Sequence, residues 1–405
     1  MRLGLFDDGK ASDKYFTLGS EAIDSPAHQQ LALEAAQQSI VLLKNEGQLL
    51  PLQPGQTLAV IGPHFNATEV LLSNYHGSRC VDAKSGPGTG NDFSCIPSVL
   101  NSIVAANEGG ATSGLMGCSI AGTSGNDIAA AVALAKKADV VVLAMGIDQS
   151  QEAEGRDRIN TTLPGEQAAL VQAIAALGKP TVMVLLNGGT LSLGPLKGAV
   201  PAILAASYGG EMGALALADV LFGRYNPSAK LAATWYPPDF VSQLPLTEMS
   251  LTAPPGRTHM FYSGEAEFVF GAGLSYSEWA LEWHAAPPTT WPIAEHEEHI
   301  APVAFRVRVR NVGSRAGRQT ILVFVRSADS DEARGPRAMR QKLVAFDGVA
   351  PLAPGADGLI SFSLQPSDVL GRADHEGKIR VTRGAAFELV ARDGVNELVH
   401  AFVSA

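Results

Sequence analysis

The chain has 405 residues, 46 % of them apolar and 17 % charged, with a formal net charge of −10. That length exceeds one ordinary core and predicts two or three globular domains, while the negative balance argues against nucleic acid and anionic membrane as partners. No run of about eighteen apolar residues occurs, and the opening MRLGLFDDGK lacks the apolar core of a signal peptide, so neither a membrane span nor a compartment is assigned.

In chain order, residues 25–45 place Leu31, Ala35, Ala36, Ile40 and Leu43 near the helical period behind a Ser25-Pro26 start, which predicts a helix running into a strand-like end. QTLAVIGP (56–63), KADVVVLAMG (137–146), KPTVMVLLNGG (179–189) and PAILAASYGG (201–210) are continuous apolar runs of the kind buried on both faces of a sheet. Helical stretches lie between them at GNDIAAAVALAKKA and PGEQAALVQAIAALG. The alternation predicts an α/β domain, a mostly parallel sheet with helices on both faces. After the proline-rich AAPPTTWP the pattern changes to period-two segments, VAFRVRVRNVG, QTILVFVRS and GLISFSL, separated by turn residues. These predict an all-β, immunoglobulin-like antiparallel sandwich. The divisions expected are a leading linker and helix at 1–45, the α/β domain at 46–282 and the sandwich at 283–405.

Cys80, Cys95 and Cys118 are an odd set without a CxxC pair and allow at most one bridge. Cys80 and Cys95 flank a glycine-rich loop and could close it in an oxidising compartment, with free thiols the expectation.

In parallel sheets ligands meet the loops after the carboxyl ends of strands. One such loop, GIDQSQEAEGRDRINTTLPGEQ (146–167), crowds Asp148, Glu152, Glu154, Asp157 and Glu166 beside Arg156 and Arg158. Crowding and partial burial can keep one carboxylic acid protonated while arginines hold its neighbours ionised, the requirement for general acid/base work. The competing reading is a solvated acidic loop with local ion pairs. Asn66, Asn74, Tyr75 and His76 follow the first apolar run of this domain and suit sugar hydroxyls and a pyranose face. The competing reading there is a turn around an aromatic side chain. The glycines of Asn187-Gly188-Gly189 and Tyr208-Gly209-Gly210 are expected to supply positive-φ turns, with Tyr208 a lesser candidate for substrate contact. G-x-G-x-x-G, the P-loop pattern and G-x-S-x-G are absent, and His64 and His76 lack helically spaced partners for a metal.

In order along the chain, MRLGLFD, HQQLALEAAQQSIVLLKNEGQLLPL, IGPHFNATEVLLSNYHG, GIDQSQEAEGRDRINTTLPGEQ, ADVLFGRYNPSAKLAATWYP, GRTHMFY, FVFGAGLSYSEW and NVGSRAG resemble the C-terminal part of family 3 glycoside hydrolases, especially β-xylosidases. The resemblance implies an α/β sandwich followed by a fibronectin-type-III-like domain, both preceded in the family by a TIM-type barrel that carries the aspartate nucleophile. MRLGLFD resembles the barrel's exit, so the barrel is expected to be missing and to act in cis or in trans. The resemblance also implies a retaining exo-glycosidase that acts on a β-linked oligosaccharide or aryl glycoside and needs no metal or organic cofactor. Laid over the acidic loop it favours Glu152 as acid/base, with Glu154 second, and reads Asp157 and Arg158 as loop-fixing. It makes Tyr75 and His76 substrate contacts. On this reading the chain alone is inactive, and copies associate through the exposed barrel-facing surface. The alternative is a non-catalytic carbohydrate-binding or protein-interaction module.

Overall fold

In the α/β part, local sequence preferences set the first two elements. Ser25 Oγ accepts a hydrogen bond from the His28 amide at 3.3 Å, and Pro26 sits in the first turn of α1 (Pro26–Gln37). The segment predicted as a helix with a strand-like end divides here, and its last residues form β1 (Val41–Asn45). The computed structural model describes residues 18–22, 25–76, 93–122, 124–293, 300–328, 339–373, 376–381 and 383–405. MRLGLFD and Cys80 lie outside these residues.

The remaining strands of the main sheet are β2 (Thr57–Ile61), β3 (Ala111–Leu115), β4 (Val140–Gly146), β5 (Thr181–Leu186) and β6 (Ala202–Ala205), in the order β1-β6-β5-β4-β2-β3. All neighbours run parallel except the edge pair β1 and β6. The apolar runs are continuous because both faces are covered. On one side Val140, Val142 and Ala144 pack with α1, α2 (Val99–Ala106) and α6 (Gly213–Leu221). On the other, Val141, Leu143 and Met145 meet α3 (Ile128–Lys137) and α4 (Gln167–Ala175), with the short α5 (Leu196–Ala199) beyond them. Each fully buried Val, Leu or Met stabilises by roughly 1.5–3 kcal/mol. Of the strands in this sheet only β3, ATSGL, escaped the sequence reading, because an edge strand of small and polar residues has no apolar run.

The sandwich begins with β7 (Trp279–Ala285), so its first strand precedes the proline-rich passage taken as the boundary at 283. It continues through β8 (Thr290–Trp291), β9 (Val303–Asn311), β10 (Gly317–Ser327), β11 (Lys342–Leu352) and β12 (Asp357–Leu364). A small ladder of β13 (Arg372–Ala373) and β14 (Ile379–Arg380) precedes β15 (Ala386–Arg392) and β16 (Glu397–Ser404). Sheets β11-β10-β15-β16-β8 and β12-β9-β7 share one core, in which Trp291, Phe305, Val307, Val323 and Leu389 are buried. Along β9 buried and more exposed residues alternate, the structural form of the period-two pattern. Among the described residues no helix is long and apolar enough to cross a membrane.

Two expectations are corrected. Cys95 is disulfide-bonded rather than free, while Cys118 is a buried free thiol whose pKa burial pushes up to about 11. Gly188, Gly189 and Gly209 do not take positive φ; of the four strand-end glycines only Gly210 does, at 73°.

Candidate active site

Four strand ends converge on one cleft of about 800 Å³. The loop after β2 contributes Asn74 and Tyr75, the loop after β4 contributes Glu152 to Ile159, the end of β5 contributes Gly188 and Gly189, and the end of β6 contributes Tyr208. A later segment missed in the sequence supplies Phe240, Leu244, Leu246 and Arg257. Its residues carry no acid/base pattern and reach the cleft only through the tertiary fold.

The acidic loop starts with a tight turn in which the Glu152 amide donates to the Asp148 carbonyl at 3.0 Å. That turn sends the Glu152 side chain inward. Its Oε1 accepts from the Gly188 amide at 2.6 Å, from the Gly189 amide at 3.1 Å and from the Tyr208 hydroxyl at 2.9 Å. Its Oε2 accepts from the Gly189 amide at 2.9 Å and lies 3.5 Å from Arg158 Nη2. Arg158 in turn donates to the Thr190 carbonyl at 2.7 Å. One carboxylate therefore ties together the loops after β4, β5 and β6.

These contacts explain the two glycines better than backbone freedom does. A Cβ on Gly188 would come within 2.6 Å of Glu152 Oε1, and one on Gly189 within 2.8 Å of Oε2. Only residues without a Cβ let the carboxylate approach both amides. Tyr208, the lesser candidate of the sequence reading, lines the cleft, and burial followed by the bond to Glu152 raises the pKa of its phenol.

Glu154 points the other way. It is exposed on the cleft rim and accepts a short hydrogen bond from the Tyr75 hydroxyl, which raises the phenol's pKa. Tyr75 is 78 % exposed. His76 packs edge-on against Phe93 with ring centres 6.0 Å apart and is not among the cleft-lining residues, whereas Tyr75 is. Asp157 also lines the cleft. Arg158 Nη1 is buried with no hydrogen-bond partner among the described residues, leaving a spare donor beside Glu152. No group of three or more His, Cys, Asp or Glu side chains among those residues is placed to hold a metal ion.

A doubly covered, mostly parallel sheet whose strand-end loops gather carboxylates and an exposed tyrosine, joined to an antiparallel sandwich, defines a module of an α/β domain followed by a β-sandwich. The pattern of the glycosyl hydrolase family 3 C-terminal domain matches residues 40–276, and the chain belongs to that family. It is 35 % identical over 415 aligned positions to Beta-D-xylosidase 1 of Arabidopsis thaliana, covering 95 % of this chain and 51 % of that protein. It is likewise 35 % identical to Beta-xylosidase/alpha-L-arabinofuranosidase 2 of Medicago sativa subsp. varia, covering 95 % of this chain and 50 % of the relative. Among solved structures, the GH3 exo-beta-xylosidase XlnD, held with a xylobiose aziridine probe, superposes with a TM-score of 0.81 at 29 % identity over 94 % of this chain and 48 % of that one. The chain spans about half the length of the curated relatives it matches.

Proposed function

We propose that this chain supplies the acid/base half of a family 3 β-xylosidase-like site, with Glu154 as the proton donor and Glu152 as the anchor of the cleft floor. The observation that carries the assignment is the opposite orientation of the two glutamates: Glu154 is exposed beside Tyr75, while both oxygens of Glu152 already face donors. A carboxyl that gives up a proton needs an oxygen free to carry it toward the leaving group, and Glu154 has one. The resemblance to β-xylosidases supports a β-linked xyloside as substrate and a barrel domain, in cis or in trans, as the source of the nucleophile.

In the retaining scheme the two carboxyl groups stand roughly 5–5.5 Å apart, and attack on the anomeric carbon accompanies protonation of the departing oxygen. Glu154 then takes the proton of the water that releases the sugar. Tyr75 holds the Glu154 carboxyl in place and offers the sugar an apolar face. Arg158 Nη1 is a further donor for a ring hydroxyl. Tyr75, Ile159, Leu246 and Met249 are exposed apolar side chains on this part of the molecule, and they support docking of the barrel or, without it, association of copies.

The test has two parts. The chain alone is expected to leave p-nitrophenyl β-xyloside untouched. With a family barrel fused upstream or added in trans, turnover is expected, and Glu154→Gln should lower it by roughly 10²–10⁴-fold. Azide should restore the variant's rate and yield the glycosyl azide, because a small anion needs no general base. Azide rescue of Glu152→Gln but not of Glu154→Gln would transfer the role to Glu152. Turnover by the chain alone would end the two-part account. A purely binding module remains the second reading, and it predicts saturable xylobiose binding with no turnover even when a barrel is present.

A further inference from the structure

A second cleft, of about 490 Å³, lies between the α/β domain and the sandwich, where Thr234 and the segment Thr258–Phe270 face β10 and β15. Thr234 is only 6 % exposed, and its Oγ1 has no hydrogen-bond partner among the described residues. A buried hydroxyl left unpaired costs about 1–3 kcal/mol, so its retention on a cleft wall points to a ligand that completes it. Opposite it the sandwich presents a charged lattice. Arg326 Nε lies 2.6 Å from Glu388 Oε2, Arg326 Nη1 lies 3.3 Å from Glu397, and Arg392 lies 2.7 Å from the same Glu397. The Arg326 and Arg392 guanidinium groups already have counter-charges, so with Glu388 they offer fixed donors and acceptors side by side. Adjacent hydroxyls match that arrangement better than a bare anion does.

Three aromatic side chains, His259, Tyr262 and Phe270, form another part of the wall. His259 stacks on Phe270 with centroids 4.2 Å apart, and Tyr262 closes the cleft toward Phe240, 5.5 Å from it. Phe240 lines the first cleft, so the Tyr262–Phe240 contact joins the walls of the two. Burial lowers the pKa of His259, which keeps its ring neutral and able to accept as well as donate. Thr258 has φ 63°, a strained conformation for a β-branched residue of the kind that collects at ligand clamps.

We infer that the second cleft is an accessory binding site for a pyranose ring of a glycan, with the Thr234 hydroxyl and the Arg326–Glu388 pair reading ring hydroxyls beside the Phe270–His259 stack. The site stands apart from the acid/base assignment and does not depend on it.

Calorimetric and saturation-transfer NMR titration of the 405-residue chain with xylose and xylobiose tests the inference. Saturable binding is expected. Thr234→Val should weaken it about tenfold, the equivalent of ~1.4 kcal/mol, while leaving the melting temperature unchanged or higher because a buried unpaired hydroxyl is gone. Glu388→Gln should weaken it as well. Glu154→Gln and Tyr75→Phe, in the other cleft, should leave this binding intact. Four results overturn the inference: no saturable binding; binding lost in the Glu154 and Tyr75 variants but kept in the Thr234 and Glu388 variants; binding kept in all four; or binding of glucuronate or inorganic phosphate without xylobiose.

Discussion

At the scale of single residues the clearest physical anomaly is His64, in the turn that follows β2. It is 2 % exposed, its Nε2 has no partner among the described residues, and burial lowers its pKa to about 4 against the opposing influences of the Asp148 charge and a bond to the Ile147 backbone. The folded chain thus keeps a neutral ring where the unfolded chain, near 6.5, takes up a proton. Between those two values the unfolded state binds more protons, so acidification favours unfolding. A shift of this size corresponds to about 3 kcal/mol, fully available above pH 6.5 and gone near pH 4. Chemical denaturation at pH 7 and pH 4 should show the stability difference between the parent and His64→Gln falling by about that amount on acidification. An unchanged difference would mean that the ring is solvated or paired. The sequence marked His64 only as an unsupported metal ligand, since nothing local announces that the ring is buried.

At the scale of elements, the strand ends were legible and their wiring was not. Apolar runs placed β2, β4, β5 and β6, and the acidic loop was visible because five carboxylates follow one of those runs. Which glutamate turns inward depends on Gly188 and Tyr208, 36 and 56 positions away, and no local pattern carries that pairing. The glycines separate two kinds of constraint. A Cβ on Gly146, at φ 142°, would lie 1.9 Å from the Leu186 carbonyl oxygen, a backbone atom of the neighbouring strand that cannot step aside. A Cβ on Gly188 would meet the Glu152 carboxylate and the Tyr208 ring, which can move. Gly146→Ala should therefore cost about 4 kcal/mol or more and leave little folded protein, whereas Gly188→Ala should cost about 1–2 kcal/mol. The milder variant should fold, and by amide exchange it should lose protection at Gly189 as Glu152 is expelled. Comparable melting temperatures for the two would contradict this division.

At the scale of the whole molecule, the sequence separated an α/β part from a β part by a change of period, but it gave no sign of how firmly they are joined. One tie in that joint is Asn226, in the segment after α6. Its Oδ1 accepts from the Ser275 hydroxyl and the Tyr276 amide, both at 2.8 Å, and its Nδ2 donates to the Ala316 carbonyl at 3.1 Å and the Ser277 hydroxyl at 3.3 Å. One buried amide thus connects the α/β domain, the approach to β7 and the turn before β10. Gly317 makes room for it, since a Cβ there would stand 2.5 Å from Nδ2. Asn226→Ala orphans the Tyr276 amide and the Ala316 carbonyl together, a loss of about 2–4 kcal/mol concentrated at the joint rather than in either core. Scanning calorimetry should show one coupled transition in the parent resolving into two in the variant, with the sandwich keeping its own melting temperature because the Trp291 and Phe305 core is untouched. A single transition shifted downward would place the loss inside one domain and refute the role of Asn226 as a tie between them.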